Sequence, residues 1–483
     1  MLAIMVTARS AREQPLYARI ADGLSEQVRR GTLRAGDRAP SLRRISRQHR
    51  VSMSTAIQAY RWLERQGQLE ARPKSGFFVR TPPAERIPEP QGGSKPAGRA
   101  APMAHAVLDG ILAAMNDPAH VPFGAGCVSP ELFPNRRLNL ITRRVLGARP
   151  LHSARYDMPP GAEPLRRQIA RRSGDLGCRL APSDITVTSG ALEAIQIALR
   201  AVVRPGQTIA VESPTYFGAL DAAASLGLQV VEIPTHPRLG LDLDELARAI
   251  RRRRVKAVFA MPNCHNPLGY VLSDGAKRAL VDLTARHHVP LIEDDIYGDL
   301  VLRGPRPRTA KSFDRDGLVL LCSSYSKVLS PGLRVGWISA GRFQRQVNRI
   351  KMMLNLATPS LPQHVVAEFL ASGGYDRHLR RLRVSLTDQM ERVRQAIARY
   401  FPDGTRVSRP AGGHMLWVEL PRRTNSVAVF HEALAHHISV LPGTIFSPAR
   451  RYRNYLRLSC GHLWSETHER ALVTLGRICL GSR

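Results

Sequence analysis

Lysine is scarce in this chain, and one of the few, Lys327, closes the segment Leu318-Val-Leu-Leu-Cys-Ser-Ser-Tyr-Ser-Lys327, which reads as a buried strand with a lysine at its end. Seven lysines stand against 64 arginines. A guanidinium does not give up its proton to become a nucleophile, whereas a desolvated lysine amine does. A lysine at this position therefore points to chemistry that arginine cannot do, and Schiff-base formation is that chemistry.

A cofactor that condenses with a lysine and carries a ring nitrogen, a phenolic oxygen and a phosphate makes further demands, and each is met at the end of a predicted strand. Asp294, after Val289-Pro-Leu-Ile-Glu, supplies a carboxylate to keep a ring nitrogen protonated so that the ring draws electrons. Tyr297 follows three residues later, within reach of the phenolic oxygen, and Asn266 in Pro262-Asn-Cys-His-Asn-Pro-Leu-Gly269 is a second donor to it. Thr188-Ser-Gly-Ala191 lies between a strand and a helix, so Ser189, Gly190 and Ala191 expose backbone N–H groups to an anion. Ser324 and Arg334 flank the lysine and add a hydroxyl and a charge-assisted pair for the same phosphate. Tyr216, in Ser213-Pro-Thr-Tyr-Phe-Gly218, offers an aromatic face for stacking. Singly, each of these is an ordinary cap, turn or core residue; together and in this order they describe one site.

The elements that must position these groups follow from periodicity. From about residue 106 onward, apolar strand-like runs alternate with helical ones: Ile185–Val187, Thr208–Val211, Gln229–Ile233, Lys256–Ala260, Val289–Ile292 and Leu318–Cys322. That alternation predicts an α/β fold with a mostly parallel sheet covered by helices, with chemistry at the strand ends. Upstream, residues 81–105 are rich in Pro, Gly and Ala and cannot build a core, so they read as a linker. The predicted units are 13–80, the linker 81–105, and 106–483.

In the first unit, Leu16, Ile20, Leu24 and Val28 recur at helical spacing up to Gly31. A second helix opens after Pro40 with Ser41 as N-cap and carries Leu42 and Ile45. A third begins near Ser52, presents Ala56, Ile57, Tyr60 and Leu63, and stops at Gly67. The tight turn around His49-Arg50-Val51 between the last two predicts a helix-turn-helix, and the short runs Gln68–Arg72 and Gly76–Val79 around Pro73-Lys-Ser75 predict a basic wing. A small helical dimerisation domain is the competing reading of the same helices.

The formal charge is +32, of which residues 1–80 contribute +10, from 16 basic and 6 acidic side chains. The excess is spread along the chain, so it is as well explained by a general arginine bias as by nucleic-acid binding. No apolar run is long enough for a membrane span and no secretory leader opens the chain, which predicts a cytoplasmic protein without a membrane partner. The six cysteines are scattered with no Cys-x-x-Cys pair, so neither disulfides nor a metal site is expected.

Two resemblances sharpen this. Pro15-Leu-Tyr17, Gly31-x-Leu33-x-x-Gly36-x-x-x-Pro40-Ser41, Val51-Ser52 with Thr55, Tyr60-Arg-Trp-Leu-Glu64 with Gly67, and Ser75-Gly76 resemble the GntR-type winged helix-turn-helix domain. That likeness implies that Arg43, Ser52, Ser54, Thr55 and the wing residue Lys74 face a double-stranded DNA operator, with Met53 standing where relatives often carry an arginine. Tyr156-x-x-Pro159-x-Gly161, Ser189-Gly190, Pro214-x-Tyr216, Asn263-x-x-Asn266-Pro267-x-Gly269, Asp294-x-x-Tyr297, Ser324-x-Ser326-Lys327 with Arg334, and Arg457-Leu-Ser459 resemble fold-type I enzymes of the class I/II aminotransferase group. This implies pyridoxal 5'-phosphate as cofactor and a mixed, mostly parallel sheet with a smaller C-terminal α/β subdomain. It also implies that Lys327 forms the internal aldimine, that Asp294 and Tyr216 assist it, and that Ser326 joins the phosphate ligands. Arg457, with Asn266, would hold an effector's α-carboxylate. Tyr156 would reach the phosphate of a neighbouring subunit in a head-to-tail, domain-swapped homodimer. Leu192 and Glu193 stand where many relatives have glutamine, and His414 where an aromatic is common.

In combination the two resemble the MocR subfamily of GntR regulators. The expectation is a transcription regulator that senses pyridoxal phosphate, or an amino acid or amine, by exchange at Lys327. A catalytically active aminotransferase with an appended DNA-binding unit remains the alternative, since every group a transaminase half-reaction needs is in place.

Overall fold

The computed structural model describes residues 15–29, 32–33, 37–72, 75–79, 87–90, 105–148 and 154–481. The chain divides into two compact units, Met1–Glu85 and Arg86–Arg483. Gly31, Pro73, Lys74 and most of the predicted linker lie outside the described residues.

In the first unit α1 (Leu16–Arg29), α2 (Leu42–His49) and α3 (Met53–Arg65) pack around Ile20, Leu24, Ile45, Ala56, Tyr60 and Leu63, all buried. Burying side chains of this size contributes about 1.5–3 kcal/mol each, which is how so small a unit holds together. Ser41 accepts the Arg44 N–H at 3.2 Å and Ser52 accepts the Thr55 N–H at 3.2 Å, so each helix of the tight pair starts on a hydroxyl cap. Arg50 turns the chain between them in the left-handed region at φ 50°, and Gly67 ends α3 at φ 70°. A hairpin follows: β1 (Leu69–Arg72) pairs antiparallel with β2 (Gly76–Val79). Residues 37–39 lie along β2 through Val79 N–H to Asp37 O at 2.7 Å and Ala39 N–H to Phe77 O at 2.8 Å.

The second unit opens with α4 (His105–Asn116), β3 (Val121–Pro122), α5 (Asn135–Ala148) and α6 (Glu163–Arg172), then alternates: β4 (Thr186–Thr188), α7 (Ala191–Val202), β5 (Thr208–Ser213), α8 (Phe217–Ser225), β6 (Gln229–His236), β7 (Gly240–Leu241), α9 (Leu243–Arg253), β8 (Val255–Ala260), α10 (Asp274–Arg286), β9 (Leu291–Asp294), β10 (Val319–Ser324) and β11 (Gly336–Ser339). Three helices, α11 (Gln344–Asn355), α12 (Ser360–Ala371) and α13 (Tyr375–Tyr400), lead to a small subdomain of β12 (Arg406–Val407), β13 (Met415–Glu419), α14 (Ser426–Ala435), β14 (Ile438–Ser439), β15 (Leu441–Pro442), β16 (Tyr455–Ser459) and α15 (Glu466–Gly481).

The main sheet has eight strands in the order β4-β11-β10-β9-β8-β5-β6-β7. All six predicted strand regions are in it. The sequence pattern missed β7, which is two residues long, and β11, whose Gly336-Trp-Ile-Ser carries no alternation and follows directly on a turn. β11 is antiparallel to both β10 and β4, so the sheet is mixed but mostly parallel. The carboxyl ends of β4, β5, β8, β9 and β10 open on one edge, where a parallel sheet places its ligands. The small subdomain carries a second, antiparallel sheet, β12-β13-β16-β15, and β3 pairs with β14. No helix among the described residues is long and apolar enough to cross a membrane.

Candidate functional site

At the end of β4, Gly190 adopts φ 101°, a conformation that strains any other residue, and α7 begins at the buried Ala191. A Cβ on Gly190 would also come within 2.5 Å of Arg334 Nη2. The guanidinium fills that space: Arg334 Nη2 donates to the Ser189 carbonyl at 2.6 Å and Nη1 to Ser326 Oγ at 3.3 Å. The Ser324 and Ser326 hydroxyls are 2.9 Å apart, and Ser324 Oγ also donates to the Val335 carbonyl at 3.0 Å. Ser189, Gly190, Ala191, Ser324, Ser326 and Arg334 thus form one cup of N–H, hydroxyl and guanidinium donors at a helix N-terminus, where an anion is favoured.

β10 ends at Ser324, so Lys327 stands three residues into the following turn rather than on the strand itself. Its ammonium donates to the Gly126 carbonyl at 2.6 Å. Burial lowers its pKa, with Arg457 and Arg334 pushing the same way. Asp294, the last residue of β9, is buried beside it and opposite Cys322 in the parallel register. Burial raises the Asp294 carboxyl to about 7 even though the Ile296 N–H donates to Oδ1 at 3.1 Å. A carboxylate so placed is one cation short.

Tyr297 is buried three residues after Asp294, and its ring meets His414 edge-on with centroids 5.5 Å apart. Tyr216 ends the β5 loop as the residue before α8; its phenol is pushed up to about 12 by burial. Gly218 makes room for it, because a Cβ there would lie 2.5 Å from the Tyr216 ring. Asn266 is buried with Oδ1 unpartnered among the described residues. The loop that carries it is held by Asn263 Nδ2, which donates to Asp295 Oδ1 at 2.8 Å, and by His265, 3.2 Å from the buried Glu212.

Arg457 lies in the middle of β16, opposite Trp417 on β13, and is buried. It donates to the Gly124 carbonyl, its guanidinium carbon is 5.8 Å from the Phe446 ring centroid, and Nε has no partner among the described residues. Burial depresses its pKa to about 10. A buried guanidinium with a free donor is a receptor for a carboxylate.

Lys327, Asp294, Tyr216, Tyr297, Arg457 and the Ser189–Arg334 cup are therefore brought together, with Asn266 on the loop that Asn263 ties to Asp295; Tyr156 is 73% exposed and takes no part in this cluster. Three contributors were not assigned to the site by the sequence, although Glu193 and His414 stood out there as departures from the aminotransferase pattern. The segment 123–127 provides the Gly124 and Gly126 carbonyls from an irregular stretch. His414 is fully buried beside Tyr297, Lys327 and Arg457; burial and these cations drive its pKa well down. Glu193, on α7, accepts the Ser189 N–H at 2.5 Å and pairs with the buried Lys351 of α11 at 3.0 Å.

In the first unit, Arg43 is exposed on α2, and Ser52 and Ser54 are exposed at the start of α3 with Thr55 half-buried. The Ser52 hydroxyl lies 2.7 Å from that of Ser54 and 2.8 Å from that of Thr55. Ser52 is thus engaged in capping the helix whose N-terminus these side chains share. Lys74 lies outside the described residues.

The profile of aminotransferases of class I and II matches residues 152–475, and that of bacterial regulatory proteins of the gntR family matches residues 16–79. The chain belongs to the class I and II aminotransferase family. Among relatives of this two-part family member, the uncharacterized HTH-type transcriptional regulators YdcR and YjiR of Escherichia coli are each 37% identical, over 96% and 95% of this chain and 98% of their own lengths. The crystal structure of LysN, the alpha-aminoadipate aminotransferase of Thermus thermophilus, in complex with N-(5'-phosphopyridoxyl)-L-leucine, aligns with a TM-score of 0.72 at 28% identity, covering 78% of this chain and 94% of that one. A GntR-type unit followed by an aminotransferase-like unit is the MocR architecture.

Proposed function

We propose that this MocR-type chain is a DNA-binding transcription regulator whose aminotransferase-like unit binds pyridoxal 5'-phosphate and senses an amino acid or amine through it. The observation that carries the reading is the convergence of Lys327, Asp294 and the Ser189–Arg334 cup on one sheet edge, in a chain that also carries the winged helix-turn-helix. The residues present fit the cofactor: an unpaired buried carboxylate for a ring nitrogen, a donor cup for a phosphate, and a buried lysine between them.

Pyridoxal phosphate supplies an aldehyde that captures primary amines and a ring that accepts electrons. Ser189, Gly190, Ala191, Ser324, Ser326 and Arg334 would hold its phosphate, with Tyr156 of a second copy completing that end in a head-to-tail, domain-swapped homodimer. Asp294 would hold a proton on the ring nitrogen, Tyr297 and Asn266 would donate to the phenolic oxygen, and Tyr216 would cover the ring face. Lys327, its pKa lowered by burial, would supply a neutral amine to the cofactor's aldehyde end and a group to carry protons there. Arg457 takes the effector's α-carboxylate, with Asn266 beside it. An effector acts on DNA only through unequal affinity for two arrangements of the dimer, so displacement of Lys327 must be coupled to one of them. Such a regulator works in the cytoplasm.

The test is Lys327→Ala in a gel-shift assay with operator DNA from the neighbouring genes. The variant is expected to bind DNA and to lose its response to the effector; a normal response would reject covalent sensing. The intact Asp294, Lys327 and Arg457 set also supports a second reading, an active aminotransferase. Repeated turnover between amino acids and keto acids, followed by the cofactor absorbance, together with no sequence-preferring DNA binding, would favour it over the regulator.

A further inference from the structure

We propose that Asp117, His120 and His437 form a binding site for a divalent transition-metal cation of the zinc class. None of the three belongs to the set around Lys327. One ligand atom from each lies within 4.8 Å of the other two, although His437 comes from the far end of the chain.

Strand register makes this meeting. β3 and β14 pair in parallel with Val121 opposite Ile438, so His120 and His437, each one residue before its strand, stand side by side. The Val121 N–H donates to the His437 carbonyl at 2.8 Å and fixes that register, and the two imidazoles meet with ring centroids 5.2 Å apart. Asp117 follows the last turn of α4. The Ala119 N–H holds its Oδ1 at 2.9 Å, which leaves Oδ2 directed at His120 Nδ1, 2.9 Å away.

An exposed histidine–aspartate pair alone is a common surface contact of little energy. A second imidazole brought to it from another element is not part of such a pair. Two nitrogens and one oxygen with an open fourth position are the donor set of zinc and its neighbours; calcium and magnesium want more oxygens. Zinc–ligand bonds are about 2.0–2.2 Å, so side-chain rotations of roughly an ångström close the site. The cation replaces the proton shared by His120 and Asp117. It would pin the end of α4, the first helix after the linker segment, to the turn between α14 and β14. β3 runs on from there to the Gly124 and Gly126 carbonyls that hold Arg457 and Lys327.

The experiment uses the full chain, chelator-treated and loaded with pyridoxal phosphate so that Lys327 is occupied, titrated with Zn²⁺ against a chromogenic competitor. One equivalent is expected to bind, to be unaffected by millimolar Mg²⁺ or Ca²⁺, and to raise the melting temperature. His120→Ala and His437→Ala are each expected to weaken binding at least about tenfold and to abolish the thermal shift, while Cys127→Ser leaves zinc affinity unchanged. The metal-free melting temperatures report that the variants fold. No stoichiometric binding in the parent, affinity as in the parent in either histidine variant, or loss in Cys127→Ser would overturn the site.

Discussion

Lys327 Nζ donates to the carbonyl of Gly126 at 2.6 Å. Two residues earlier, the Gly124 carbonyl accepts from Arg457. One irregular segment therefore positions both the amine that would capture the cofactor and the guanidinium that would hold an effector's carboxylate, and it does so with main-chain oxygens, which no side-chain substitution removes. The segment is held against the small subdomain, so the distance between the two cations is set by how 123–127 packs on β14 and the residue after it.

Gly124 is where that packing is tightest. A Cβ would lie 2.3 Å from Ser439 Oγ and 3.1 Å from the Val440 carbonyl oxygen, closer than side chains sit. Gly124→Ala must displace the segment, at a cost of about 1–3 kcal/mol. We expect a lower melting temperature together with weaker binding of both pyridoxal phosphate and amino acid ligands, read by absorbance titration. Retention of both affinities would mean that the segment does not set the site.

The protonation of Asp294 makes a separate prediction. Its carboxyl is raised from 3.8 to about 7, chiefly by burial, with Asp295 and Glu212 adding to it against the Ile296 N–H and Lys327. The unfolded chain releases this proton near pH 4 and the folded chain near pH 7, so between these values the folded state holds more protons and stability falls as pH rises. At about 1.4 kcal/mol per unit the loss is at most about 4 kcal/mol. Cofactor-free Asp294→Asn is expected to show a shallower fall in melting temperature from pH 4.5 to 7.5 than the parent. The residual slope would come from Glu293, also raised to about 7 mainly by burial.

How legible the site was depended on the kind of signal. Residues at the ends of regular strands were readable, because short apolar stretches mark β4, β5, β8, β9 and β10 and a parallel sheet gathers its ligands at their carboxyl ends. In the first unit, Ser41 and Gly67 announced their helix boundaries through capping and left-handed geometry. What stayed hidden were meetings between distant irregular segments: Gly126 under Lys327, His414 against Tyr297, and Lys351 with Glu193. These depend on how the small subdomain and α11 fold back on the sheet, which local periodicity does not encode. Tyr156 lies exposed, as the proposed dimer, in which it would serve a second copy, requires.

Glu193 places a carboxylate one turn into the helix whose N-terminus forms the anion cup. Lys351 Nζ holds both its oxygens at 3.0 and 3.1 Å, and Asn355 braces the pair. Glu193→Gln keeps the side chain's shape and its bond to the Ser189 N–H but removes a charge that opposes a phosphate, and leaves the Lys351 ammonium to favour one. Removing one partner of a buried pair also destabilises. We therefore expect opposite signs in two measurements: pyridoxal phosphate binds about tenfold more tightly, near 1.4 kcal/mol, while the cofactor-free melting temperature falls. A fall in both would assign Glu193 a purely structural part.

Arg43 tests the first unit. It is exposed on α2, whereas the Ser52 hydroxyl is engaged by Ser54, Thr55 and the start of α3. A phosphate contact neutralises one backbone charge and releases a counterion, so removing it weakens binding to all sequences alike and reduces the slope of log K against log salt by about one. Ser52→Ala should act differently, loosening α3 by about 1 kcal/mol through loss of its cap, with a matching fall in the unit's melting temperature. The two variants separate by salt titration of operator binding: Arg43→Ala is expected to change the slope with the melting temperature preserved, and Ser52→Ala to lower the melting temperature with the slope preserved. An unchanged slope in Arg43→Ala would remove α2 from the DNA-facing surface and leave contact to the N-terminal side chains of α3.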